Sequence, residues 1–250
     1  MQPYHREFRL GHLTLVRHGQ ASFFGRNYDQ LSPIGEEQAR ALGRWLVHRG
    51  EHFDRVIVGP RLRHRQTEQG VREAYEAARL PLPEAQLVEA FDEHDAIRMF
   101  NSYLGRSEAD LDAFHSGEIG DGERQAKMRE FFKQFDGAFR LWVRGEFNPP
   151  GVESWATFAA RVATALDAGC TAATDAFGRP LPDGGRTIVF TSGGLVAQSL
   201  GCLLGLRDEQ VVDLSYNVRN TSLTEVNWTG PRRTLGMFNA APHLTETTLV

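Results

Sequence analysis

The sequence predicts an α/β protein: a three-layer α/β/α sandwich with a mostly parallel central sheet and a helical insertion. Three observations carry this. Short, β-branched apolar runs alternate with helical patterns, the order that gives parallel strands covered by helices on both faces. The stretch at about 95–150 breaks that rhythm, being richer in charge, with Met128, Phe131, Phe132, Phe135, Phe139 and Trp142 recurring at helical spacing. Finally, 41% of the 250 residues are hydrophobic, enough to bury a sizeable core. The chain is read as one domain over 1–250, with a lid-like helical insertion at about 95–150. The aromatic stripe is expected to pack on the sheet as core, and a lid position is compatible with the same helix.

The first strand is Leu13-Thr14-Leu15-Val16, an apolar run ended by a polar cluster. A helix follows from Pro33, with Ser32 as its N-cap, Glu36 and Glu37 in its first turn, and Gly50 as its stop. Phe53 to Val58 is the second strand, Gly59-Pro60 opens a loop, and Leu62 to Arg79 reads as helix. Gln86-Leu87-Val88 is a third, weaker strand. Asn148-Pro149-Pro150-Gly151 closes the insertion, and Glu153 to Leu166 resumes the helical pattern. Thr187 to Thr191 is the clearest strand; it breaks at Ser192-Gly193-Gly194 and re-forms as a helix with Val196, Leu200, Leu203 and Leu204 inward. Ser222 to Trp228 is the last strand.

Composition excludes several function classes. No window approaches the 18 or so uninterrupted apolar residues of a membrane span, and the first residues lack an apolar signal region. Net charge is -4, which gives no general pull toward nucleic acid or anionic membrane. Cys170 and Cys202 lack metal-type spacing and read as small buried hydrophobes of a reducing compartment. These readings predict a cytoplasmic protein with no nucleic-acid or membrane partner, no metal site and no cofactor.

In open α/β sheets ligands bind beyond the carboxyl ends of the strands. Each such end here carries polar chemistry: Arg17-His18-Gly19 after the first strand and Pro60 to Thr67 after the second. Asp92-Glu93-His94-Asp95 follows the third, and Ser192-Gly193-Gly194 the fourth, with a helix N-terminus directly behind it. Converging on one sheet edge, they make a cationic, phosphate-sized concavity with a nucleophile candidate and a carboxyl group.

Leu15 to Ser22, with its Arg17-His18-Gly19 core, resembles the signature of the histidine phosphatase superfamily, also called phosphoglycerate mutase-like. Leu31 to Ala39 is similar to the helix that follows in that family, and Pro60 to Thr67 to its second arginine motif. The resemblance covers roughly the first third of the chain, and the fourth strand with its Gly-Gly turn extends it. It implies a phosphomonoester hydrolase acting on a small phosphorylated substrate through a phosphohistidine on His18. Arg17 and Arg63 would hold the phosphoryl group. The chemistry is sound: a neutral imidazole is a good nucleophile near pH 7, guanidinium offers bidentate bonds to phosphate oxygens, and a carboxyl group protonates the leaving alkoxide.

Two frames fit the family's acid. Leu87-Val88-Glu89 and Phe91-Asp92-Glu93 both satisfy its pattern, but only Glu93-His94-Asp95 continues in the family's manner, so Glu93 is chosen over Glu89. The resemblance also breaks at one place: Ser192 stands where most members carry a second histidine. Ser192 and Gly193 would still contact the anion, through a hydroxyl and helix N-terminal amides. Removing one charge-stabilising donor typically costs roughly 10²–10³ in rate. Slow turnover is therefore expected unless another residue compensates, His94 and His64 being the nearest by motif, with packing of its own helix the plainer reading of His64. A nearly inactive phosphate-ligand binder and a phosphoglycerate mutase are the alternatives. A dinucleotide enzyme is disfavoured because Ser192-Gly193-Gly194 lacks the three-glycine fingerprint.

Overall fold

A computed structural model describes residues 10–22, 29–106, 121–170, 185–246 and 248. Six strands form one sheet: β1 (Gly11–Arg17), β2 (Arg55–Val58), β3 (Ala85–Leu87), β4 (Arg186–Thr191), β5 (Leu223–Thr229) and β6 (Arg232–Ala240). Their order is β3-β2-β4-β1-β5-β6. The pairs β2–β3, β2–β4 and β1–β4 are parallel, while β5 runs antiparallel to both β1 and β6. Only β5 is reversed among the described strands, so the sheet is mostly parallel as predicted.

Strand residues alternate between two apolar cores because side chains on a strand point to opposite faces. Val16, Val56, Val58, Ile188 and Phe190 meet Leu42, Leu46, Val71 and Tyr75 of α1 (Pro33–His48) and α2 (Leu62–Ala77). Leu13, Leu15, Ile57 and Val189 face the other way. They share the second core with α4 (Asp121–Val143), α5 (Trp155–Cys170) and α6 (Gly193–Leu204). This is the predicted helix–sheet–helix layering.

α1 begins where its sequence says, with Ser32 Oγ accepting from the Gly35 amide and Pro33 in the first turn. It is followed by Gly50 at φ +67°, a left-handed position open to glycine. The insertion contains two helices among its described residues, α3 (Ala96–Tyr103) and α4; residues 107–120, and the side chains of Met128, Phe131 and Phe132, lie outside them. Ala138, Phe139, Trp142 and Val143 of α4 are buried, so the described part of its aromatic stripe is core.

Some expectations are corrected. Cys202 is exposed rather than buried, because it lies on the outer side of α6, whereas Cys170 is buried as expected. The third strand runs Ala85–Leu87, one residue earlier than Gln86 to Val88, because Val88 caps a short 3-10 turn over Glu89–Phe91. β6 and α7 (Asp208–Ser215) had no sequence signal strong enough to be read.

Candidate active site

β1 and β4 end side by side, and the His18 amide donates to the Thr191 carbonyl at 2.8 Å. The chain then turns sharply. The Gly19 amide donates to Thr67 Oγ1 at 3.0 Å, tying this turn to α2, and the Gln20 amide donates to Gln38 Oε1 at 2.9 Å, tying it to α1. The turn passes directly over the start of α1: a Cβ on Gly35 would come within 2.8 Å of the Gln20 amide nitrogen, with the Gln20 carbonyl closer still. The sequence pattern Ser32 to Gln38 thus does two jobs, starting a helix and seating the loop behind His18.

His18 is buried, and its Nδ1 lies 2.7 Å from the Gly19 carbonyl oxygen. A carbonyl only accepts, so Nδ1 carries the proton and Nε2 keeps its lone pair. Burial, then the charges of Arg63 and Arg17, then His64, push the imidazole well below 6.5. The ring is therefore neutral at physiological pH, the form that nucleophilic attack requires. Asn220 Nδ2 donates to the His18 carbonyl at 3.2 Å from the turn before β5.

The arginines arrive from three sides. Arg17, the last residue of β1, donates to the Val218 carbonyl and lies against Gly193, where an added Cβ would meet its Nε at 3.4 Å. Arg63, buried in the first turn of α2, donates Nη1 to Asp29 at 2.6 Å and reaches Ser192 Oγ with Nη2 at 3.5 Å. Asp29 also accepts from the Leu62 amide at 2.9 Å, so it caps α2 while fixing Arg63. Arg61 pairs with Asp92 at 2.6 Å and braces the loop that carries Glu93. Arg65 is exposed.

Glu93 and Glu89 separate cleanly. Glu89 is exposed, whereas the Glu93 side chain is only 14% exposed, and its Oε2 accepts from the Gly194 amide at 2.9 Å. A carboxylate there satisfies an unpaired N–H at a helix N-terminus and complements the helix dipole. Burial pushes the Glu93 carboxyl up, but His94, the Gly194 amide and Arg63 outweigh it, so the net shift is downward and the resting group is ionised. Its loop is held rigidly: Arg161 donates to the carbonyls of Ala90 and Asp92 at 3.0 and 2.9 Å, and Thr191 Oγ1 to that of Phe91 at 2.7 Å.

The two candidate compensating histidines take different positions. His94 packs against Phe139, Trp142 and Phe158, with Nε2 3.6 Å from Glu93. It backs the acid. His64 instead places Nε2 2.6 Å from Ser192 Oγ, its ring centroid 5.8 Å from that of His18. Among the described residues no group of His, Cys, Asp or Glu has an arrangement that would hold a metal ion.

The model of the histidine phosphatase superfamily, branch 1, matches residues 13–99 and 106–241. The chain belongs to that superfamily. Solved structures share the fold. Phosphoglycerate mutase from Bacillus anthracis superposes with a TM-score of 0.59 at 16% identity, covering 95% of this chain and 96% of that one. Phosphoserine phosphatase from Entamoeba histolytica gives 0.56 at 20%, covering 93% and 98%. The alpha-ribazole phosphatase from Shigella flexneri gives 0.57 at 18%, covering 92% and 96%. At such identities the likeness is one of fold. The broad-specificity phosphatase YOR283W of Saccharomyces cerevisiae is 41% identical over 61 residues, 22% of this chain and 26% of the yeast protein. No described helix is long and apolar enough to cross a membrane.

Sequence reasoning placed Arg17, His18, Arg63, Glu93, Ser192 and Gly193 at one sheet edge, and the structure puts them there. It missed Asp29 as the partner of Arg63, Asn220 as a support for His18, and Arg161 behind the acid. Each contact spans dozens of positions or more, and no local spacing announces it.

Proposed function

We propose that the protein is a phosphomonoester hydrolase working through a phosphohistidine on His18. The observation that carries this is the state of His18: buried, neutral, with Nδ1 bound to the Gly19 carbonyl and Nε2 left for attack beside Arg17 and Arg63. The phosphoryl group of a small ester binds to the two guanidinium groups and the α6 N-terminus, where fixed positive charge offsets charge developing on the equatorial oxygens. Arrival of the dianion raises the pKa of Glu93, as a like charge does, and the carboxyl takes up a proton.

In the first step His18 Nε2 forms the P–N bond, the P–O bond to the alcohol breaks, and Glu93 gives its proton to the leaving alkoxide. In the second step Glu93 takes a proton from water, the oxygen attacks phosphorus, and the P–N bond breaks. Inorganic phosphate leaves and His18 returns to its neutral form. Neither step needs a group beyond the side chains named.

The second reading, a phosphate-ligand binder with little or no turnover, rests on Ser192, a short neutral donor in the anion site. A panel of phosphomonoesters, run with His18→Ala as the blank, separates the two. Hydrolysis that requires His18 supports the phosphatase. No hydrolysis, with phosphate binding that is lost in Arg63→Ala, supports the binder. Interconversion of phosphoglycerates would move the reading to a mutase.

A further inference from the structure

The anion site contains a second buried imidazole that the mechanism above does not use. His64 is fully buried in the first turns of α2, and Ser192 is only 1% exposed at the start of α6. Their 2.6 Å contact joins residues 128 positions apart and lies behind the place where the phosphoryl group must sit, between Arg63 and the Gly193-Gly194 turn.

The behaviour of Ser192 is unusual for its position. A serine at a helix N-cap normally turns its oxygen onto the amide two or three residues ahead, a bond that typically stabilises by about 1 kcal/mol. Ser192 makes no such cap bond. Its hydroxyl is turned onto His64 instead, and Arg63 Nη2 approaches the same oxygen at 3.5 Å. The Gly194 amide is bonded to Glu93. The helix start is thus arranged around a hydroxyl committed to a buried imidazole.

We infer that His64 and Ser192 act as one hydrogen-bonding unit, in which His64 Nε2–H donates to Ser192 Oγ and the Ser192 hydroxyl donates to the phosphoryl group. In the empty site the Gly59 backbone beside His64 Nδ1 favours the tautomer in which Ser192 donates to Nε2, and the other tautomer, with Nε2–H donating, reverses the bond. A phosphoryl oxygen beside Ser192 selects one direction, since the anion accepts only. An imidazole donating behind the hydroxyl polarises it, so the pair gives the anion more than a lone serine would. His64 is then a positioning residue that acts through Ser192. The inference rests on the phosphatase reading and revises one expectation within it: turnover need not be slow for want of an imidazole, because an imidazole is present one atom further back. It also means that a histidine ring placed at 192 would meet His64.

A double-mutant cycle on p-nitrophenyl phosphate tests this, with thermal melts as the folding control. Ser192→Ala and His64→Ala should each lower kcat/KM by roughly 10²-fold, the lower end for a lost oxyanion donor. The double variant should fall no more than about threefold below the worse single, where independent sites would multiply to roughly 10⁴. His64→Gln keeps an N–H and should stay within about tenfold of wild type, a rescue that simple cavity filling by His64→Leu should not give. Ser192→His alone should lose activity, and adding His64→Ala to it should restore activity by making room. Multiplicative losses, or a His64→Leu protein as active as His64→Gln, would overturn the coupling. Failure of the phosphatase reading looks different: wild type itself would release no phosphate, and alkali-quenched mixtures would hold no phosphohistidine.

Discussion

Glycine 194 offers a way to move the proposed acid without removing it. Its amide holds Glu93 Oε2 at 2.9 Å, and a Cβ there would lie 2.7 Å from His94 Nε2 and closer still to Glu93 Oε1. Ordinary heavy-atom contact needs about 3.5 Å, so in Gly194→Ala the ring and the carboxylate must retreat by about 0.8 Å or more. Both are ends of side chains, and Gly194 is not at a positive φ, so the backbone carries no strain. Alanine also favours the helix slightly, and the melting temperature should stay within a few degrees of wild type. Catalysis should not tolerate the shift. A misplacement of about 1 Å can cost roughly 10²-fold when a reacting group must be aligned. The assay is kcat/KM on glycerol phosphate and on p-nitrophenyl phosphate. The alkyl ester, whose alkoxide needs the proton, should lose roughly 10²-fold, and the aryl ester less than tenfold. Glu93→Gln should show the same split, larger on the alkyl side, while Glu89→Gln should do nothing. Equal losses on both substrates, or a Gly194→Ala enzyme with wild-type alkyl activity, would refute the role given to Glu93.

Two further outcomes follow from the same geometry. His18, His64 and His94 are held below their ordinary pKa, in each case first by burial, and burial puts His243 at about 4. The unfolded chain therefore binds more protons below about pH 6.5, and stability should be complete above that pH and fall as acid is added. By NMR the His18 ring should stay neutral through pH 6.5; titration at or above it would contradict its buried, arginine-flanked setting. Gly35→Ala should cost roughly 1–3 kcal/mol in a denaturant melt, because its Cβ would press on the Gln20 backbone, which cannot swing away. Any folded fraction should also lose turnover, since that backbone seats His18.

The sheet was readable because its strands announce themselves locally. β1, β2 and β4 are β-branched apolar runs, each delivering polar residues at its carboxyl end. α1 could be placed to within a residue because Ser32, Pro33 and Gly50 are punctuation with fixed backbone meaning. β6 escaped because it is an edge strand: Arg232, Thr234 and Gly236 are exposed on one face, and the apolar signal is diluted. At the site, motif spacing supplied His18, Arg17 and Arg63. Both Glu89 and Glu93 fit the acid's spacing, and only the Glu93-His94-Asp95 continuation favours Glu93; burial against α6 then sets the two apart. The motifs offer His64 and His94 alike as candidates to compensate for the missing imidazole, and nothing in Arg63-His64-Arg65 tells that the His64 ring will meet a serine on another strand's end. That contact exists only once β2 and β4 pair in register.

In the proposed mechanism phosphorus passes through His18 before it reaches water. Its stereochemistry tests this without requiring the intermediate to accumulate. An ester made chiral at phosphorus with oxygen isotopes is hydrolysed in labelled water, and the configuration of the released phosphate is determined. Two in-line displacements, first by His18 and then by water, predict overall retention. Inversion would mean that water attacked the ester directly, and His18 would not be the nucleophile.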